Sequence, residues 1–549
     1  MTKWNVYPRP LMQRDSFFSL NGAWDFCICP DGEAPGFHET ILVPYCPQSP
    51  LSGIGRPVPR HCLCHYRKTF SLPQGFCKDR VLLHFGAADQ FAQVTLNGHV
   101  LGNHTGGYLP FCFDITSYLQ PENVLTVTVA DHLEDAVLPY GKQKEKRGGM
   151  WYTPVNGIWQ TVWLESVCAD AISGLQVTCD KNTVRISLEG TRSPATLTLL
   201  ESGCSYPMAA GLCTFTLESP VYWCPENPHL YHFVVETQAG DKVQSYFALR
   251  SLTIETVNGL PRLCLNGKPY FFHGLLDQGY FPPGIFTPEK PEDYEKDILS
   301  AKALGFNTLR KHIKIEPQVF YAACDRLGII VFQDMVNNGR YSFLRDTALP
   351  TIGLKRMPAI FRRRTPAMKN AFRQSMEETV GFLRHHPSIC LWTIFNEGWG
   401  QFEGTKMYHR LKTLDPTRFI DTASGWFKGC KSDVNSPHVY FRPFRSRPHR
   451  LPTLLSEFGG YVKKEEGHLF SRNASYGYRF FKNRESYMQA LEKLYETEII
   501  PAVPKGLCGC IYTQLTDVED ELNGLITYDR QIVKPDVQRM CTIAHELKI

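Results

Sequence analysis

Two glutamates that each follow an apolar run are the side chains of this sequence best suited to chemistry. Glu397 follows Asn396 at the end of LWTIF, and Glu457 follows TLLS sixty residues later. A buried carboxylate is unfavourable unless a neighbouring group compensates its charge. Two carboxyl groups that flank one bond are the arrangement that glycoside hydrolysis requires, because one donates a proton and the other attacks the sugar. The pair predicts that chemistry if the fold brings both side chains together.

The elements that must position these glutamates begin after about Ser251, where apolar runs alternate with helical stretches. One helix is predicted over TPEKPEDYEKDILSAKALG, with Thr287 as its N-cap and Gly305 as its end. The predicted strands are FFHGLL, FNTLR, IIVFQDM, ICLWTIF, RFIDTA, PHVY, TLLSEF and GCIYTQL. Eight strands that alternate with helices favour a (β/α)8 TIM barrel, although no helix is evident after the short sixth strand.

The sequence before the barrel alternates at period two with frequent turns, which is typical of β-sandwiches. RVLLHFGAA and AQVTLNGHVLG show this alternation, and LNGH is an Asn-Gly hairpin signal. We predict a multidomain chain with a jelly-roll β-sandwich of the sugar-binding type over residues 1–167. An immunoglobulin-like β-sandwich is predicted over 168–252 and a C-terminal catalytic barrel over 253–549.

The carboxyl ends of the strands of such a barrel meet at one face, where functional side chains gather. Strand four ends in Glu397 and strand seven in Glu457, so the two are expected to face each other across the mouth. A separation of about 5 to 5.5 Å between the carboxyl groups would give a retaining mechanism through a covalent intermediate. The alternative is that each glutamate is a rim residue in a local ion pair.

Nearly every predicted strand delivers a polar or ionisable side chain to this mouth. Asn396 is expected to bond the 2-hydroxyl of a sugar, and Tyr440 and Arg310 to hold Glu457 ionised. Trp399 is expected to line the leaving-group side, and Trp426 is a candidate platform for a sugar ring. The predicted substrate-binding residues are Asn396, Tyr440, Arg310, His312, His438, Asp277, Gln278, Asp334, Trp399, Trp426 and Gln514.

Composition and charge exclude several other classes of function. The net charge is only +5 over 549 residues, and no block of lysines and arginines is long enough to argue for nucleic acid. The nineteen cysteines are scattered without the spacing of zinc ligands, so neither a metal nor a cofactor is expected. The amino terminus carries no apolar signal segment, and no run is suited to span a membrane. We expect a soluble, cytoplasmic protein whose partner is a carbohydrate, with a homo-oligomer left open.

Several motifs carry a resemblance to a known family. SLNGAWDF, VTLNGHVLGNHTGGYLPFCFDIT, GIWQTVWLE, LGFNTLRKH, TIFNEGWG and LLSEFGG follow in that order over essentially the whole chain. The sequence resembles glycoside hydrolase family 2, which includes β-galactosidases, β-glucuronidases and β-mannosidases. The resemblance implies Glu397 as acid/base, Glu457 as nucleophile, Tyr440 beside the nucleophile and Arg310 at the barrel floor. It implies His312 and His438 as further pocket residues.

Departures from the family pattern bear on the identity of the sugar. The Asn-x-Lys triplet that grips the sugar carboxylate in β-glucuronidases is absent from TDVEDELNGLITYDRQIVKPD, although Lys311, Lys314 or Arg340 would be substitutes. The tryptophan common at strand eight is replaced around IYTQLTD. We expect an exo-acting glycosidase on a β-D-galactoside-like substrate, with β-D-galactofuranoside, α-L-arabinofuranoside or β-glucuronide as alternatives. A non-catalytic carbohydrate-binding protein is the alternative from another class.

Two long connections are candidates to lie at the barrel mouth. The first, residues 140–154, is charged and ends in Trp151-Tyr152, and it either reaches over the mouth or is an exposed connection with a buried anchor. The second, residues 337–364, is long for a connection between strand three and its helix. Connections of that length often bind ligands.

Overall fold

The protein, known from a computed structural model that describes residues 3–351, 364–471 and 475–549, begins with an antiparallel β-sandwich. A six-stranded and a four-stranded sheet enclose a core that includes Trp24, Phe26 and Tyr66, and a two-stranded sheet adjoins them. The twelve strands are Phe18–Ser19, Gly22–Pro30, Glu39–Val43, Cys62–Phe70, Arg80–Phe85, Ala88–Asp89, Phe91–Leu96, His99–Thr105, Phe111–Asp114, Asn123–Ala130, Gly157–Ile158 and Val162–Val167. Buried and exposed residues alternate over the first five residues of Gly22–Pro30, as expected for a strand with one buried face.

A second, smaller sandwich follows, built from a three-stranded and a four-stranded antiparallel sheet. Its strands are Gly174–Asp180, Thr183–Glu189, Ala195–Leu199, Ser205–Met208, Leu212–Thr216, Tyr231–Thr237 and Lys242–Phe247. Seven short strands in two sheets are typical of an immunoglobulin-like domain. A three-stranded sheet of Leu252–Val257, Leu260–Leu265 and Lys268–Pro269 then leads into the last part of the chain. The predicted order of two sandwiches before a barrel is confirmed.

The barrel contains eight parallel strands, numbered here one to eight along the chain. They are Phe272–Asp277, Thr308–Lys311, Ile330–Asp334, Ile389–Asn396, Phe419–Ser424, His438–Val439, Thr453–Gly459 and Leu507–Thr513. Their order in the sheet is five, four, three, two, one, eight, seven and six, so strands one and eight pair and the barrel is closed except between strands five and six. Phe272, Leu276, Phe332, Leu391 and Ile511 belong to one buried apolar cluster within this barrel.

Helices pack around most of the barrel strands. The α-helices are Glu292–Ala303, Gln318–Leu327, Leu349–Thr351, Pro366–Leu383, Gly404–Leu414, Arg484–Leu494 and Val537–Glu546. The first begins later than predicted, because the Thr287 hydroxyl donates to Trp159 O at 2.5 Å instead of capping the helix, and Pro291 occupies the N-cap. The described chain contains no helix between strands five and six or between six and seven. No helix in the described ranges is long and apolar enough to cross a membrane.

Candidate active site

The turn after barrel strand four presents Glu397 to the mouth. Strand four ends at Asn396, and Glu397 then adopts a left-handed conformation (φ +51°) while its N–H donates to Ser424 O at 2.8 Å. A non-glycine residue in this region costs roughly 1–2 kcal/mol, so the surrounding structure must hold it there. Gly400 lets the turn pack closely, because a Cβ at that position would lie 2.7 Å from the carbonyl oxygen of Asn338. The motif Asn-Glu-Gly-Trp-Gly is therefore a tight turn that aims the carboxyl group.

The surroundings of Glu397 favour its protonated form. Its side chain is 19% exposed, and desolvation raises its pKa to about 7, although the charges of Lys142 and Arg310 act in the opposite direction. Oε1 of Glu397 lies 2.9 Å from Nδ1 of His438. Burial lowers the pKa of His438 to about 3, so the imidazole is neutral near pH 7. A carboxyl group that keeps its proton near neutral pH is suited to act as a general acid.

Glu457 is held by two hydrogen-bond donors at the end of strand seven. Its Oε2 accepts a bond from the Tyr440 hydroxyl at 2.5 Å, and its Oε1 accepts one from Nη1 of Arg310 at 3.1 Å. The Tyr440 hydroxyl also lies 2.9 Å from Oγ1 of Thr513, and its ring stacks on Tyr478 with 3.9 Å between centroids. Donors of this kind stabilise the charged form of a carboxylate and fix its orientation. Glu457 is thus held in a fixed orientation by two donors.

Arg310 connects four strands of the barrel. Its Nε lies 3.0 Å from both carboxylate oxygens of Asp334, Nη1 donates to Ser456 O at 2.9 Å, and Nη2 donates to Oδ1 of Asn396 at 2.9 Å. Burial lowers the pKa of Arg310, but the adjacent carboxylates, Asp334 first, outweigh burial and raise it. His312 completes the network with Nδ1 2.6 Å from Asp334 Oδ2. Because Arg310 takes Oδ1 of Asn396, the Nδ2 donor of that amide is left for a ligand.

The two carboxyl groups lie close together. One oxygen of Glu397, one of Glu457 and a ring nitrogen of His438 are all within 4.8 Å of one another. Retaining glycosidases hold their carboxyl groups about 5 to 5.5 Å apart, whereas inverting enzymes separate them by about 6.5 to 9.5 Å. A metal ion would find three ligand atoms here, but the Arg310 cation already bonds Glu457 and opposes a second cation. The geometry matches a retaining pair.

Three predicted residues at the ends of strands one and eight lie outside this hydrogen-bond network. Asp277 forms an ion pair with Lys311 at 2.6 Å, and the two are direct partners in the pairing of strands one and two. Since successive residues of a strand point to opposite faces, Asp277 and Lys311 face away from the side that Arg310 occupies. Nε2 of Gln278 donates to Oε1 of Gln514 at 2.8 Å and joins strand one to strand eight.

The two predicted tryptophans occupy different places. The half-buried Trp426 lies beside His438, with 5.7 Å between ring centroids, and therefore adjoins the two glutamates. Trp399 is only 3% exposed, and its Nε1 donates to Gly339 O at 2.6 Å. Its ring contacts Trp151 of the first sandwich at 5.3 Å between centroids. Trp399 thus joins the turn after strand four to residues 140–154 and has little surface left for a sugar.

Sequence analysis missed three residues around the pair. Thr513, which contacts the Tyr440 hydroxyl, directly precedes Gln514, so the signal was present but was assigned to the neighbour. Tyr478 lies in a loop without a recognisable motif. Lys142 belongs to residues 140–154, a connection that was singled out for its length and charge without this lysine being identified. Residues 352–363 of the connection 337–364 lie outside the described residues.

A parallel barrel with one glutamate after strand four and another after strand seven is an arrangement suited to glycoside hydrolysis. Three models of one family match the chain. The galactose-binding-like domain of glycosyl hydrolase family 2 matches residues 61–156, the family 2 domain matches 174–250, and the family 2 TIM barrel domain matches 259–458. The chain belongs to glycoside hydrolase family 2.

Individual relatives are distant. The chain is 24% identical over 383 residues to a β-galactosidase of Thermoanaerobacter pseudethanolicus, covering 64% of this chain and 48% of that protein. It is 26% identical over 422 residues to the human β-glucuronidase, covering 68% and 61%. The structure of a β-D-glucuronidase of Dictyoglomus thermophilum is similar with a TM-score of 0.74 at 18% identity, covering 98% of both chains. The match spans about half the length of the first of these relatives.

Proposed function

We propose that this chain is a retaining, exo-acting glycosidase that removes a terminal β-linked sugar. The observation that carries the proposal is the placement of Glu397 and Glu457, whose nearest oxygens lie within 4.8 Å. That distance leaves no room for the attacking water that an inverting enzyme places between its carboxyl groups. This geometry supports a double displacement with a covalent sugar–enzyme intermediate.

The two glutamates would take different roles in each step. In the first step Glu397 donates its proton to the leaving oxygen while the Glu457 carboxylate attacks the anomeric carbon. In the second step the Glu397 carboxylate takes a proton from water, and that water displaces Glu457 from the sugar. Asn396 is oriented by Arg310, so its Nδ2 can donate to the sugar 2-hydroxyl, a bond that strengthens in the transition state.

The proposal also concerns which terminal sugar the enzyme removes. A β-D-galactoside-like substrate fits the relatives named β-galactosidases, and a β-D-hexuronide fits those named β-glucuronidases. Both are β-linked pyranosides that would present the same anomeric face to Glu457. The furanosides, β-D-galactofuranoside and α-L-arabinofuranoside, remain part of the test because the residues at strand eight depart from the family pattern.

The test is release of nitrophenol from a panel of nitrophenyl glycosides. The panel contains the β-galactoside, β-glucuronide, β-galacturonide, β-glucoside, β-mannoside, β-galactofuranoside and α-L-arabinofuranoside. The wild type should hydrolyse at least one of them, and Glu457→Gln should abolish that hydrolysis while Glu403→Gln, a surface change beyond the same turn, should preserve it. Proton NMR should show that the first product keeps the anomeric configuration of the substrate.

Two outcomes would refute the proposal. Inversion of the anomeric configuration would exclude the covalent intermediate. Binding of sugars without any hydrolysis that depends on Glu457 would instead favour a carbohydrate-binding protein.

A further inference from the structure

Residues 140–143 of the first sandwich lie directly against the barrel mouth. The backbone N–H groups of Tyr140 and Gly141 donate to Asn337 O at 3.0 and 3.3 Å, and the Tyr140 hydroxyl donates to Gly339 O at 2.9 Å. Gly141 has φ +68°, and a Cβ there would lie 2.7 Å from the carbonyl oxygen of Ile313, next to His312. Only glycine permits so close an approach in this left-handed conformation. The residue that follows Gly141 is therefore held at the mouth.

That residue is Lys142, a half-buried lysine. The next side chain, Gln143, turns back into the first sandwich, where its Nε2 lies 3.2 Å from Asp89 and its Oε1 accepts from Val155 N at 2.6 Å. The charge of Lys142, by contrast, is felt by the barrel, since it lowers the pKa of both Glu397 and His312, although burial is the largest influence on each. The Lys142 ammonium therefore lies within electrostatic reach of strands two and four.

Lys142 is half-buried and has no carboxylate partner among the described residues, a combination that distinguishes it from the other cations of its connection, which are exposed. Arg147 pairs with Asp520 at 2.8 Å, and Lys144 lies over the ring of Trp151, 5.4 Å from its centroid. Lys146 is exposed to solvent. A partly buried ammonium without a partner is unfavourable, so an anion supplied by a ligand would stabilise it.

Arg310 and the cations that sequence analysis offered as substitutes are already engaged or exposed. Lys311 binds Asp277 and Glu316 at 2.6 and 3.0 Å, and Lys314 binds Glu316 at 3.0 Å together with two carbonyl oxygens. All three nitrogens of Arg310 are bonded to protein groups. Arg340 is exposed. The substitutes that sequence analysis offered for carboxylate recognition are thus less suitable than Lys142.

We propose that Lys142 is the specificity-determining residue that binds the carboxylate of a terminal β-D-hexuronide, an inference that rests on the proposed glycosidase function. Its neighbour Gly141 lies against Ile313, and its charge reaches Glu397 and His312, so in this proposal the ammonium lies beside the terminal sugar. The anion that it meets therefore belongs to that sugar rather than to a distant part of the leaving group. A hexuronide carries one carboxylate on its ring, whereas the corresponding hexoside carries a neutral hydroxymethyl group.

The test compares hexuronides with the matching neutral hexosides. The ratio of kcat/KM for nitrophenyl β-D-glucuronide to that for nitrophenyl β-D-glucoside is measured, and the same ratio is taken for the galacturonide and galactoside. The same acid serves both members of each pair, so an effect of Lys142 on Glu397 cancels in the ratio. The variants are Lys142→Met and, as a matched control on the same connection, Lys146→Met.

We expect the wild type to prefer one hexuronide over its neutral counterpart. Lys142→Met should lower that preference by about 10- to 100-fold, the range expected for the loss of a hydrogen bond between charged groups. Most of the loss should appear in KM, and Lys146→Met should leave the ratio unchanged. Binding of free D-glucuronate to inactive Glu457→Gln, measured by calorimetry, should weaken when Lys142→Met is added.

The possible failures are distinguishable. If the wild type hydrolyses only neutral glycosides, or if Lys142→Met lowers hexuronide and hexoside turnover equally, the assignment of Lys142 is overturned while the glycosidase function stands. If no glycoside of the panel is hydrolysed in a manner that depends on Glu457, the proposed function itself is overturned.

Discussion

Replacing Glu397 by glutamine should change activity and stability in opposite directions, and the stability change should depend on pH. Desolvation raises the pKa of Glu397 from 4.5 to about 7. This displacement corresponds to about 3 kcal/mol of free energy between the protonated and ionised forms. Because the folded state binds the proton more tightly than the unfolded state, the stabilisation from Glu397 is fully present below about pH 4.5 and is lost as the pH rises through about 7.

Glutamine carries no proton to lose, so its contribution stays constant over this range. The stability of Glu397→Gln relative to the wild type should therefore increase by about 3 kcal/mol between pH 4.5 and pH 8. For a domain of this size, about 2 °C in Tm corresponds to each kcal/mol, so the difference in Tm should widen by about 6 °C. The Glu397→Gln substitution should also lower kcat/KM for substrates with poor leaving groups by about 10²- to 10⁴-fold, the usual contribution of a general acid.

Scanning calorimetry of both proteins at several pH values provides the measurement. Glu403→Gln is the control, because Glu403 bonds Lys369 at the surface and its pKa is lowered. The Tm of Glu403→Gln should not increase relative to that of the wild type as the pH rises. A difference in Tm between Glu397→Gln and the wild type that stays constant from pH 4.5 to pH 8 would refute the raised pKa and the acid role derived from it.

Three further variants test other parts of the site. Tyr440→Phe removes the hydrogen bond to Glu457 and should lower kcat by about 10- to 100-fold, because a bond to a charged group contributes about 1.5–3 kcal/mol; an unchanged kcat would contradict a role in holding the nucleophile. Arg310→Lys cannot reproduce the fork of three bonded nitrogens and should lower both kcat and Tm, as kinetics and calorimetry would show; full activity would contradict the proposed network. Gly400→Ala places a Cβ 2.7 Å from Asn338 O at φ +73° and should destabilise the protein by at least about 1 kcal/mol, which a drop in Tm would detect and an unchanged Tm would refute.

The sequence was informative about the fold where local patterns determine structure. Period-two alternation and the strand–helix order predicted both sandwiches and the barrel, because buried faces repeat with the geometry of each element. It failed at Thr287, since the hydroxyl bonds a carbonyl of the distant first sandwich instead of its own helix. It also placed Asp277 among the binding residues, because the end of a strand indicates the mouth but not which face a side chain takes. Lys142 reaches the mouth only through docking between domains, which no local pattern reports.

The difference between the two glutamates arises from their surroundings, since the side chains are chemically identical. Glu457 receives a hydrogen bond from Tyr440 and another from the Arg310 cation. The polar contact of Glu397 is to His438, whose pKa of about 3 leaves it uncharged at neutral pH. The two environments therefore differ in what they offer a carboxyl group: a hydroxyl and a cation bond Glu457, whereas Glu397 is desolvated beside a neutral imidazole, and desolvation raises its pKa. The groups that make the two glutamates differ therefore come from two strands. Strand two supplies Arg310, and strand six with the residue that follows it supplies His438 and Tyr440.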